Sequence, residues 1–166
     1  VTISSTYTPT IVTGDGTNNG IGTVFKYFAD SDVIVTQRVT ATGAETTMVD
    51  ATHYNITGGS STGATGTVTP IDGATDFAST MTWTIQRSIP LTQSTDLVDN
   101  DILPAASLEA SLDRLTMLVQ DLEAKVNRCL KVPISDALAT DTDLPSSVDR
   151  ISTSCTFDSS GDVSVT

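Results

Sequence analysis

Two spacings of apolar residues share this chain, and each predicts a different kind of element. Up to residue 88 apolar positions recur at every second residue, in short runs separated by Gly, Asn, Asp and Ser, whereas Leu108 to Cys129 advance by fours and threes. The first spacing belongs to strands with one buried face and the second to a helix.

In the strand region, YTPTIV at 7–12 reads as a strand, GDGTNNGIG as a loop, and TVFKYF from Thr23 as the returning arm of a hairpin. Pro9 lacks an N–H, so the first strand is expected at a sheet edge or near a strand end. DVIVTQRVT from Asp32 is the strongest strand pattern. It sets Val33, Val35 and Gln37 on one face and Ile34, Thr36 and Arg38 on the other, an imperfect alternation that predicts a bulge. ETTMVD near Glu45, HYNIT from His53 and TVTPI are shorter strands, with GGSSTGATG as a mobile tip. MTWTIQR from Met81 sets Met81, Trp83 and Ile85 inward against Thr82, Thr84 and Gln86. About seven strands between residues 2 and 88 predict an antiparallel β-sandwich.

At Ser88 the alternation stops. Residues 89–104 read as a linker packed along the domain, because Ile89, Leu91, Leu97, Ile102 and Leu103 are poor choices for a solvated tether. A helix is expected from Pro104 or Ser107 to Val132, where Pro133 ends it. Its apolar steps are Leu108, Leu112, Leu115, Val119, Leu122, Val126 and Cys129, a heptad seam that calls for partner helices. Val at a with Leu at d favours two strands, while Leu118 at g and Leu130 at e widen the face and favour more, so periodicity alone leaves dimer and trimer open. An amphipathic helix packed onto its own β domain is the alternative. Asp121 and Lys125 form one helical i,i+4 pair. Beyond residue 133 the chain reads as extended, ending in a hairpin around a turn at 158–161. A lone hairpin is marginal in water, so further sequence beyond Thr166 is expected.

Composition narrows the possible functions. Eight Lys and Arg against 20 Asp and Glu give a net charge of −12, which argues against nucleic acid and anionic membrane partners. No apolar run is long enough to span a membrane. Cys129 and Cys155 lack metal-ligand spacing and read as reduced thiols, with Cys129 a small apolar member of the seam. His53 beside Asp50 and Tyr54 reads as a hydrogen-bonded strand-end residue rather than an acid–base catalyst. Asp15 with Asn18 and Asn19, or Asp141 with Asp143, fit solvated turns better than calcium loops. Gly14-Asp15-Gly16 lacks the helix that a phosphate loop requires. Tyr7, Phe25, Tyr27, Phe28 and Trp83 read as core rather than as a sugar-stacking platform. No enzyme, cofactor or metal is expected.

The strings RSIPLTQSTDL and DILPAASLEASLDRLTMLVQDLE, with YTPTIVTGDGT before them and YNITG between, resemble the N-terminal region of tail fibre and tailspike proteins of tailed bacteriophages and prophages. The likeness runs through 7–131, LDRLTMLVQ is its most specific part, and LPSSVDR followed by FDSSGDVSV resembles the segment after the helix. The TNNGIG loop is longer and 58–78 less compact than the family pattern, and LPAAS stands in place of an aromatic-proline-acidic helix start. The resemblance implies a structural virion protein made in the host cytoplasm, a parallel homotrimer fastened to tail or baseplate proteins for host attachment. It also turns the open oligomer choice towards three. The expected architecture is mainly β: a β-sandwich attachment domain at 1–88, a packed linker at 89–104, a trimeric parallel coiled coil at 105–132 and an extended segment with a β-hairpin at 133–166. A carbohydrate-binding or adhesin-type β-sandwich module is the alternative.

Overall fold

The computed structural model describes residues 3, 5–92, 105–129, 131, 135, 144, 146, 148, 149, 151–159 and 163–165. The chain divides into two units, Val1–Asn127 and Arg128–Thr166. Among the described residues the first unit holds seven strands: β1 (Thr10–Thr13), β2 (Ile21–Gly22), β3 (Val33–Val39), β4 (Glu45–Thr47), β5 (Tyr54–Gly58), β6 (Gly66–Pro70) and β7 (Met81–Arg87). One helical turn, α1 (Gly73–Asp76), precedes β7, and a long helix, α2 (Ala105–Val126), closes the unit. The strands form two sheets of order β1-β7-β3-β4 and β2-β6-β5. All of their pairings are antiparallel.

Strand β7 shows how alternation builds the core. Trp83, Ile85 and Arg87 turn to the buried side while Thr82, Thr84 and Gln86 stay half-exposed. The Trp83 ring lies between Tyr54 and Phe77, with centroids 6.2 and 4.9 Å away. Its Nε1–H donates to the Asp76 carbonyl at 2.8 Å, and Gln37 Nε2 donates to the same oxygen at 2.7 Å. Val33, Val35, Trp83 and Ile85 from one sheet share a single cluster with Tyr54, Ile56 and Val68 from the other. That shared interior between two antiparallel layers is the arrangement of a β-sandwich.

Three local expectations are corrected. Thr23 to Phe28 do not form a strand: only Tyr27 pairs, in an isolated bridge to Ala64. The expected hairpin is therefore absent, since β1 pairs with β7 and β2 with β6. Phe25 and Tyr27 still enter the core, because aromatic burial does not require ladder pairing. The bulge in β3 is also absent, as its register against β7 runs unbroken from Val33↔Arg87 to Val39↔Met81. Central position explains the mixed alternation: both edges of β3 are occupied, and the half-buried Ile34 lies opposite Gln86. As Pro9 requires, β1 begins just after it and lies at a sheet edge.

At the tip, Gly59 and Gly63 adopt φ of +61° and +81°, which side chains resist. The Tyr27–Ala64 backbone bonds of 2.9 and 3.1 Å fasten this loop to the domain.

In the second unit, β8 (Cys155–Phe157) pairs antiparallel with β9 (Val163–Val165). The expected turn at 158–161 falls partly, and the extended course from 133 mostly, outside the described residues. The same holds for 93–104 of the linker. Of the linker's described part, Ile89 is buried and Leu91 is 88% exposed.

Candidate functional site

Helix α2 has two opposed faces. At about 100° per residue, Asp113, Met117 and Asp121 fall on one side, and these are its buried residues. The predicted seam falls on the other. Leu108, Leu112, Leu115, Val119, Leu122 and Val126 all lie on α2 and are all exposed, with Leu112, Val119 and Leu122 at 56%, 59% and 60%. The helix is thus packed on its own β domain, as the alternative reading expected, but through the face opposite the seam.

The helix stops at Val126 rather than 132, with a turn at Asn127 and Arg128. Cys129 therefore lies past the helix end, exposed, and does not extend the seam. Val126 and Asn127 have modest helix propensity, which leaves the last turn dependent on packing. At the other end Ser107 sits inside the first turn instead of capping it, and its carbonyl accepts from Ser111 Oγ at 2.8 Å.

The buried face of α2 is seated by polar groups. Continuing the inward alternation of β7 past Ile85 brings Arg87 to the buried side at 4% exposure. Its Nε–H donates to Asp121 Oδ1 at 3.0 Å, and one Nη lies 2.8 Å from the same oxygen. The guanidinium also donates to the carbonyls of Lys26 and Met117, each at 3.0 Å, and to Gln120 Oε1 at 3.2 Å. It stacks 4.6 Å over the Tyr7 ring, whose hydroxyl accepts from the Arg87 N–H at 2.9 Å. A planar guanidinium with five fixed donors suits such a junction, where a lysine would leave several acceptors unmet. Around it, Asp113 accepts from the Ile3 N–H, Gln120 donates to the Ser5 carbonyl and Arg114 to the Pro90 carbonyl. Asp121 Oδ2 and Arg114 Nε are buried without a hydrogen-bond partner among the described residues.

Sequence reading missed this junction. The available signal was the inward parity of Arg87 after Trp83 and Ile85, together with two carboxylates, Asp113 and Asp121, on the helix side opposite the seam.

Beside the seat, a groove runs between α2 and residues 88–91, lined by Leu115, Leu118, Val119 and Leu122 from the helix and by Ile89, Pro90 and Leu91 from the chain leaving β7. It is continuous with the exposed seam.

His53 Nδ1 accepts the Val49 N–H at 3.0 Å and closes a turn, while Tyr54 is buried against Trp83. Asn18 spends its side chain on the Ile71 carbonyl and the Gly73 N–H, at 2.8 and 2.6 Å. Among the described residues no group of three His, Cys, Asp or Glu is placed to hold a metal; Asp141 and Asp143 lie outside them. Phe25, Tyr27 and Trp83 are buried and present no face for a sugar, while Tyr7 and Phe28 are half-buried.

The Thr17 hydroxyl and N–H both donate to Asp15 Oδ1, at 2.7 and 2.9 Å, and hold this carboxyl below the usual aspartate range. A depressed carboxylate pKa stabilises the fold above its unfolded value, a contribution lost as pH falls through the folded one. Thr17→Val is expected to move the Asp15 titration upward, read from its carboxyl ¹³C shift; an unmoved midpoint would assign the effect to the backbone bond alone.

The structure thus defines a β-sandwich that holds, by its polar side, a helix with an exposed heptad seam. No family model matches the sequence. Over 125 residues, 72% of the chain, it is 31% identical to the tail spike protein of Salmonella phage epsilon15, and it spans 11% of that protein's length.

Proposed function

We propose that this chain is a structural part of a phage tail fibre or tailspike, without enzymatic activity, which anchors the fibre to the tail for host attachment. In this reading the β domain docks on tail or baseplate proteins. Three copies of α2 join as a parallel coil that sets chain number and register, within the virion after synthesis in the host cytoplasm. The observation that carries the proposal is the exposed heptad seam on the helix face opposite a buried Arg87–Asp121 pair. The similarity to a tail spike protein supports the setting.

Energetics agree. Burial contributes roughly 1.5–3 kcal/mol per Leu or Val side chain, and the single chain leaves six such seam residues in water. Three helices cover a wider face than two, which suits Leu118 beside the seam. The carbohydrate-binding alternative loses Phe25, Tyr27 and Trp83 to the core. No described helix is long and apolar enough to cross a membrane.

Sedimentation equilibrium at micromolar concentration is expected to return three times the chain mass, and Val119→Asp the mass of one chain. A monomeric parent would refute the oligomer. Uptake by tail particles lacking this protein tests docking, and binding of the β domain to a glycan array would favour the alternative.

A further inference from the structure

We infer that Asn19 is a site of spontaneous modification: in the folded chain its side-chain amide converts through a cyclic imide to aspartate and isoaspartate, while the fold protects the other Asx–Gly pairs of the sequence. The inference concerns the β domain alone and does not depend on the oligomer proposed above.

The reaction needs two unengaged groups, the side-chain carbonyl carbon of the Asx residue and the amide nitrogen of the residue after it. Glycine in second place is the most permissive, because it puts no side chain in the way. Three such pairs occur in the sequence, Asp15-Gly16, Asn19-Gly20 and Asp72-Gly73. In two of them the structure occupies both groups. The Gly16 N–H donates to the Phe77 carbonyl at 2.9 Å and the Gly73 N–H to Asn18 Oδ1 at 2.6 Å. Asp15 Oδ1 accepts from Thr17, and Asp72 Oδ1 accepts from the Thr75 N–H at 3.2 Å. Asn18 is likewise held at both ends of its amide. Asn19 and Gly20 are both exposed, and neither the Asn19 side chain nor the Gly20 N–H has a hydrogen-bond partner among the described residues.

Strand parity explains the unused amide. The Thr23 N–H donates to the Gly66 carbonyl at 2.8 Å, so the ladder between β2 and β6 bonds at Thr23 and Ile21 and skips Gly22 and Gly20. Gly20 therefore turns its N–H away from β6, towards the open edge of a sheet in which β2 is outermost. A Cβ at this position would meet Thr67 Cγ2 at 2.6 Å. Close packing on β6 thus keeps glycine, and with it the labile pair, in place.

In the reaction the Gly20 nitrogen gives up its proton and attacks Asn19 Cγ. The new N–Cγ bond closes a ring, the Cγ–Nδ2 bond breaks, and the amide nitrogen leaves as ammonia. Water then opens the ring at either carbonyl, without oxidation or reduction, to give aspartate or isoaspartate. One negative charge is added. The iso form also lengthens the main chain between Asn18, pinned to the Ile71 carbonyl and the Gly73 N–H, and Ile21, paired with Val68, so the start of β2 must loosen.

The test is incubation of the full chain at mildly alkaline pH, followed by peptide mapping with electron-transfer fragmentation. Asn19 is expected to gain one mass unit in both product forms, ahead of Asn18, Asn55 and Asn127, with an added acidic band on isoelectric focusing that Asn19→Gln lacks. Asp15 and Asp72 are expected to isomerise in urea but not in the folded chain. An Asn19 that stays intact in the folded chain overturns the inference, as does conversion first at Asn18. Isomerisation of folded Asp15 or Asp72 at the pace seen in urea refutes their protection. Faster amide exchange at Ile21 in the isoaspartate form is the expected sign of a loosened β2, and unchanged exchange would refute that consequence.

Discussion

Arg87→Met is expected to lower folding stability by about 3–5 kcal/mol, the usual consequence of removing one partner from a buried ion pair. The cost arises because Asp121 is 7% exposed and its carboxylate would remain in a site shaped for a cation. The Lys26 carbonyl and Gln120 Oε1 would also lose a donor, and Tyr7 its stacked guanidinium. Urea unfolding measures the loss, carried out on a Val119→Asp background so that association adds nothing to the apparent stability. Pairing Arg87→Met with Asp121→Leu is expected to recover much of it, since replacing both members of a buried pair by apolar groups is often close to neutral. A double variant no more stable than the single one would place the cost in the orphaned carbonyls rather than in the carboxylate.

The second large effect is expected in the sandwich. Trp83→Ala should cost about 3–5 kcal/mol, as large aromatic truncations in packed cores do. Trp83 has no exposed surface, and its ring contacts both Phe77 and Tyr54. Trp83→Phe should cost less, about 1–2 kcal/mol, because most of the volume stays and the net worth of one hydrogen bond is modest. The Asp76 carbonyl would still be satisfied by Gln37 Nε2. Thermal unfolding of the two variants separates the contributions; equal destabilisation would assign the effect to the indole N–H instead of the ring.

These residues differ in how far they could be read beforehand. Trp83 was legible because strand parity is local: one period-2 run sets which side chains turn inward. The same parity continues to Arg87, yet a charged residue at a strand end is ordinarily a solvated one, and nothing within seven residues names its partner. Asp121 lies 34 residues further along, and on its own helix it reads as a surface carboxylate with Lys125 one turn away. Only when β7 and α2 meet do two isolated charges become one buried pair.

The β1 pairing failed for a related reason. Runs such as TIVT and TVFKYF are both β-branched and alternate, so either can enter a ladder, and the choice depends on which arrangement closes the core. Val12 opposite Trp83 and Ile21 opposite Val68 place apolar residues beside apolar ones.

By itself, then, the sequence determined the elements whose signal is a short-range period: the antiparallel β character, the limits of β7 with Trp83 inward, and a helix carrying an apolar seam from Leu108 onward. The tertiary structure decided what those elements face. It placed Arg87 under α2, turned the seam to solvent and ended the helix before Cys129. The physical reason is range. A period is written in neighbouring residues, whereas the burial of a charge, or the freedom of an apolar face, exists only after distant segments have come together and satisfied each other's polar groups.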